Sequence, residues 1–264
     1  MSSWALFLPH GRLKVKTTAE QQAEKEKERQ KKLQLFKAGT QKIFEKRKIK
    51  EYDDEGLSIS GQILQANPDF YTCWNIRREI LTQLKDERTE EEFQQLSQEE
   101  LYLIENCLRK NPKSYGAWNQ REWILMFMPT PDWERELQLC NRFLDLDERN
   151  FHCWDYRRFV CKHSNVGPDE ELKFTLKKVE ANFSNYSAWH YRSSLLPIVH
   201  PSCERNSVAE AILLKEYDLV QNAVFTDPSD QSAWFYHRWL LGRGNCFIFK
   251  LFDLDYFVVV CVMK

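Results

Sequence analysis

The sequence has no Cys-x-x-Cys pair and no regular spacing among its eight cysteines, Cys73, Cys107, Cys140, Cys153, Cys161, Cys203, Cys246 and Cys261. A disulfide framework is therefore not legible, and reduced thiols in a cytoplasmic protein are the expectation. Its six histidines form no His-Glu-x-x-His, and no Cys/His cluster has zinc-ligand spacing, so no metal is expected on this chain. The opening Met1 to Pro9 lacks the basic start of a signal peptide, which makes the Asn182-Phe-Ser and Asn185-Tyr-Ser sequons chance matches. The apolar run Phe257 to Met263 falls far short of the roughly 20 residues that span a membrane. A net charge of -1 supplies no basic field of the kind nucleic-acid binders carry.

The searches for local chemistry also come back empty. Gly242-Arg-Gly244 lacks the further glycine and following helix of a phosphate loop, and Asp253 and Asp255 lack the rest of a calcium loop. No Gly-x-Ser-x-Gly elbow is present. The final Cys261-Val-Met-Lys264 has the shape of a prenylation box, but a terminal Lys is not among its usual last residues.

What the sequence does have is repetition. Trp74, Trp118, Trp154, Trp189 and Trp234 are 44, 36, 35 and 45 residues apart. Six residues before each stands a break position, Pro68, Pro112, Glu148, Phe183 or Pro228, with Asn67, Asn111, Asp147, Asn182 or Asp227 on its left. Upstream of the breaks, Leu101, Ile104 and Leu108, then Leu137, Cys140 and Leu144, then Tyr217, Val220 and Val224 follow the spacing of one helical face. Ser60 and Thr175 interrupt that stripe in the first and fourth copies.

Asn-Pro or Asp-Pro closes a helix, because proline has no N–H and keeps its predecessor out of the α region. A polar residue, Asp69, Ser114, Asn150, Ser184 or Asp230, can then cap the next helix. The pattern predicts an all-α, right-handed superhelix, a solenoid of five tandem helical hairpins over 19–243, with the segment 1–18 before it and a divergent apolar tail, 244–264, after it. Residues 19–50 predict a leading helix, largely solvated, with Leu33, Phe36, Thr40, Ile43 and Phe44 as its apolar stripe.

In a helix, residues three apart share a face, so Trp74 and Arg77, Trp118 and Arg121, Trp154 and Arg157, and Trp189 and Arg192 lie side by side. The fifth copy has His237 at that position and Arg238 one further on. Burying an indole removes ~150–250 Å² from water, worth several kcal/mol per repeat before entropy is subtracted. The tryptophans are therefore expected to form the core. The arginines are expected to tie the hairpins together, with a second use open: lining a surface for an acidic partner or phosphates.

Hairpins with Trp-x-x-Arg on the second helix, together with His10-Gly-Arg-Leu-Lys-Val-Lys-Thr17, Asn111-Pro-Lys-Ser-Tyr-Gly-Ala-Trp118, Glu148-Arg-Asn-Phe-His-Cys-Trp-Asp-Tyr-Arg-Arg-Phe159 and Asp230-Gln-Ser-Ala-Trp-Phe-Tyr-His-Arg-Trp-Leu-Leu-Gly-Arg243, resemble the α subunits of protein prenyltransferases. The resemblance implies a partner β subunit that holds the zinc ion, the isoprenoid pocket and most catalytic residues. It implies transfer of geranylgeranyl from its diphosphate to C-terminal cysteines of Rab GTPases presented by an escort protein. Lys113 matches the family lysine that reaches toward the diphosphate, and Tyr115 and His152 match positions lining the same active-site edge. A compact ammonium suits that task, since charge grows on the leaving diphosphate.

The sequence departs from the family pattern at both ends, with nine residues before His10 and an unrelated tail after Arg243, and is expected to be a shortened form. A non-catalytic scaffold of the tetratricopeptide kind, or an inactive isoform, are the alternatives; the uneven spacings and missing Trp-x2-Leu-Gly count against the former.

Overall fold

The computed structural model describes residues 18–202 and 208–243; the His10–Thr17 phrase and the 244–264 tail lie outside them. Eleven helices occupy the described residues: α1 (Ala19–Lys48), α2 (Asp54–Ala66), α3 (Tyr71–Glu87), α4 (Glu90–Lys110), α5 (Tyr115–Phe127), α6 (Trp133–Leu146), α7 (Phe151–His163), α8 (Pro168–Ala181), α9 (Tyr186–Val199), α10 (Glu210–Thr226) and α11 (Gln231–Leu241). The expected leading helix is α1, and the five expected hairpins are α2–α3, α4–α5, α6–α7, α8–α9 and α10–α11. The chain divides into two compact units between Gln138 and Leu139, within α6. In the first unit α2 also packs on α4 and α3 on α5; in the second α9 packs on α11.

One turn is built five times from the same bonds. The side chain of Asn67, Asn111, Asp147, Asn182 or Asp227 accepts the N–H two residues on, from Asp69, Lys113, Arg149, Ser184 or Ser229, at 2.9–3.2 Å. The indole N–H of each repeat Trp then donates to the backbone carbonyl at the break position: Trp74 to Pro68, Trp118 to Pro112, Trp154 to Glu148, Trp189 to Phe183 and Trp234 to Pro228, at 2.8–3.0 Å. A buried indole needs an acceptor, and the broken helix leaves a carbonyl there. Only the main chain takes part, so the break position accepts Pro, Glu or Phe equally well.

The helix caps follow expectation at Ser114, Asn150 and Asp230, whose side chains accept first-turn N–H groups of α5, α7 and α11. Two expectations need correction. The N-cap of α3 is Phe70, without a side-chain bond, and that of α9 is Asn185. Asp69 and Ser184 sit one residue too early, because their own N–H groups close the Asx turn. On α1 only Ile43 of the apolar stripe is fully buried; Leu33 and Phe44 are exposed.

The buried arginines form the junctions. Arg77 donates to the Leu57 carbonyl (2.5 Å) and Ser60 hydroxyl (2.8 Å) of α2 and to Glu100 of α4. Arg121 donates to the Leu101 carbonyl (3.0 Å) and, through two nitrogens, to Glu136 (both 2.7 Å). In the second unit Arg157 grips Glu171 (2.7 and 2.6 Å) and Asn141 (2.7 Å). Arg192 grips Glu216 (2.8 and 2.5 Å) and reaches the Leu172 carbonyl (3.0 Å) and the Thr175 hydroxyl (3.4 Å). Each guanidinium thus clamps the first helix of its own hairpin to the first helix of the next. Ser60 and Thr175, which break the apolar stripe, are wholly buried acceptors in this network. Burial opposes the charge of Arg157 and Arg192, but their carboxylate bonds outweigh it and hold both pKa values above the ordinary one.

The carboxylate partners were not singled out by sequence, although they keep register: Glu100, Glu136, Glu171 and Glu216 each stand 18 residues before the Trp of their own hairpin, at 118, 154, 189 and 234. Arg238 does not take the expected role. It is exposed and makes no ion pair among the described residues, while the Tyr236 hydroxyl donates to Glu216 at 2.7 Å. A fourth residue after Trp234 is rotated too far around α11 to reach that carboxylate.

Candidate functional site

Lys113 and Tyr115 lie together in the first unit, on the turn from α4 to α5 and on the first residue of α5. Both are exposed, Tyr115 at 65%. Three contacts mount this turn on the preceding one. Asn111 accepts the Lys113 N–H (3.1 Å) and donates to the Asp69 carboxylate (2.9 Å). The Ser114 hydroxyl, which also caps α5, donates to the Pro68 carbonyl at 3.1 Å, the same oxygen that takes the Trp74 indole N–H. Gly116 lies against the Trp74 ring so closely that a Cβ there would meet Cδ1 at 2.7 Å and Nε1 at 2.8 Å. Lys113 is thereby an exposed cation on a stiff support.

His152 belongs to the second unit. It is the second residue of α7, buried at 7% exposure, and its N–H donates to the Asn150 side chain at 3.1 Å. Its ring lies against Phe151, with centroids 4.1 Å apart.

Sequence reasoning missed a surface feature in the same register. Three residues before their Trp, at the first position of each second helix, Tyr71 and Tyr115 in the first unit and Phe151 and Tyr186 in the second all expose large aromatic rings. Phe235 is exposed as well and packs edge-on to Tyr186, at 5.9 Å. Aromatic rings repeatedly left in solvent mark interaction surfaces. The signal was available as the aromatic residue following each cap.

Among the described residues no group of His, Cys, Asp and Glu could hold a metal ion, and no helix is long and apolar enough to cross a membrane. Burial pushes the Cys73, Cys107 and Cys161 thiols up to about 12, so these are not reactive nucleophiles.

The hairpins coincide with five matches to the protein prenyltransferase alpha subunit repeat, over residues 53–84, 97–128, 133–164, 168–198 and 213–244. The chain belongs to that family. The tetratricopeptide alternative is set aside. Among its relatives, geranylgeranyl transferase type-2 subunit alpha of Bos taurus is 58% identical over 239 residues, covering 89% of this chain and 42% of the relative. The Homo sapiens protein of the same name is 57% identical over 239 residues, with the same coverage. That of Dictyostelium discoideum is 44% identical over 235 residues, covering 88% of this chain and 74% of the relative. The chain therefore spans about two fifths of the mammalian family members. Among solved structures, Candida albicans protein geranylgeranyltransferase-I complexed with GGPP matches with a TM-score of 0.61 at 24% identity, over 76% of this chain and 64% of that one; this likeness establishes the shared all-α fold.

Proposed function

We propose that this chain acts in the cytoplasm as the alpha subunit of a type-2 geranylgeranyl transferase. It pairs with a prenyltransferase β subunit that carries the zinc ion, the isoprenoid pocket and most of the catalytic groups. The heterodimer moves geranylgeranyl from its diphosphate to C-terminal cysteines of Rab GTPases brought by an escort protein. The observation that carries the reading is Lys113, an exposed cation on a braced turn at the position where the family keeps its diphosphate-facing lysine. From there its ammonium offsets the negative charge that accumulates on diphosphate as the carbon–oxygen bond breaks. Tyr115 and His152 line the edge of the same chemistry, and the exposed rings at the helix starts form part of the face that receives the β subunit.

The test is co-expression with a prenyltransferase β subunit, followed by an assay with Rab, escort protein and geranylgeranyl diphosphate. A co-purifying heterodimer that prenylates Rab is expected, and failure to co-purify under any condition overturns the reading. Lys113→Ala should slow transfer by about 10²-fold without weakening assembly. An unchanged rate removes Lys113 from the site.

A further inference from the structure

We propose that Gly116 and Asn111 are positioning residues that set where Lys113 and Tyr115 stand; this rests on the proposed role of Lys113 in diphosphate departure. The register of the repeat makes Gly116 unusual. The residue two before the Trp is Thr72, His152, Ser187 and Ser232 in the other hairpins and glycine only here. The reason is on the opposite side of the contact. Trp74 is 1% exposed and tethered through Nε1 to the Pro68 carbonyl, so its ring cannot yield to a methyl group that would arrive at 2.7 Å. Any side chain at position 116 must therefore lift the first turn of α5, which carries Tyr115 and follows directly on Lys113.

Asn111 acts from the other flank. Its amide oxygen holds the Lys113 N–H and its amide nitrogen holds Asp69 on the neighbouring turn. Lysine has a long flexible stem, so a fixed backbone origin is what limits the volume its ammonium explores. Displacing a catalytic group by about 1 Å can cost as much as ~10²-fold in rate.

The experiment is a mutant cycle in the heterodimer. Gly116→Ala should lower kcat for geranylgeranyl transfer about tenfold with little change in the KM for the Rab–escort complex. In a Lys113→Ala, Tyr115→Ala background the same substitution should cost no more than about twofold, because its targets are gone. A merely structural role would cost the same factor in both backgrounds, and that result overturns the inference while leaving the functional reading intact. If Lys113→Ala and Tyr115→Ala leave the rate unchanged, the functional reading fails and the inference with it. Asn111→Ala, a surface change that disturbs no core contact, gives the same cycle should Gly116→Ala fold poorly; about a threefold loss is expected, absent in the Lys113→Ala background. On the chain alone, amide hydrogen exchange over residues 113–117 should accelerate at least tenfold in Gly116→Ala, and unchanged protection also refutes the mount.

Discussion

The first and fourth hairpins share their turn, their Trp-to-carbonyl bond and a forward-reaching arginine, yet they differ at one buried position. Eighteen residues before its Trp the fourth hairpin has Glu171, gripped by Arg157 of the third, while the first hairpin has Gly56. Two residues after the Trp the fourth has Tyr191, a phenol whose pKa burial and the Glu171 charge push far up; the first has Ile76. The comparison shows that the carboxylate is not part of a hairpin's own architecture. It is the receiving half of a junction, present where a preceding hairpin supplies a guanidinium. The first hairpin follows α1, which supplies none, and an unpaired carboxylate buried there would be costly. Its slot is closed by apolar packing, tight enough that a Cβ on Gly56 would meet Ile80 Cδ1 at 2.9 Å.

The largest effect should come from breaking a junction. Glu136→Ala leaves the wholly buried Arg121 without its carboxylate, and a loss of about 3–5 kcal/mol in denaturant-induced unfolding is expected. Replacing both partners, Arg121→Met with Glu136→Leu, should recover most of it. Next comes the converse change, Gly56→Glu, which gives the first hairpin a carboxylate with no donor. A loss of about 3 kcal/mol should appear as a lower melting temperature, and a neutral result would break the proposed rule. Tyr236→Phe, which strips one donor from Glu216 but leaves Arg192 in place, should cost roughly 1–2 kcal/mol. Arg238→Ala should change stability by no more than about 0.5 kcal/mol, in contrast with Arg192→Ala in the same unfolding assay.

Much of this was legible because the signals are local. The Asn or Asp before each break, the six-residue interval to the Trp and the Trp-x-x-Arg pairing all lie within one turn and one helix start, where backbone chemistry dictates the residue type. The caps at positions 69 and 184 were misplaced by one residue because Asx turn and N-cap compete for the same polar side chains. Lys113 and Tyr115 could be placed at the head of α5 from sequence, but the role of Gly116 could not. Its meaning depends on the ring of Trp74, more than forty residues away. Arg238 was misjudged for a related reason: a one-residue shift turns a side chain by about 100° on a helix, and only the position of Glu216 shows which residue reaches it.

By itself the sequence determined the repeat, the hairpin, the buried tryptophans and the exposed lysine, since each depends on helical period or on a main-chain bond close by. The tertiary structure decided which carboxylate answers each arginine, which stripe-breaking hydroxyls are acceptors and how closely α5 approaches the turn before it. Those outcomes depend on where stacked helices bring their side chains. A buried charge or a missing Cβ acquires its reason only from the neighbour that packing places against it.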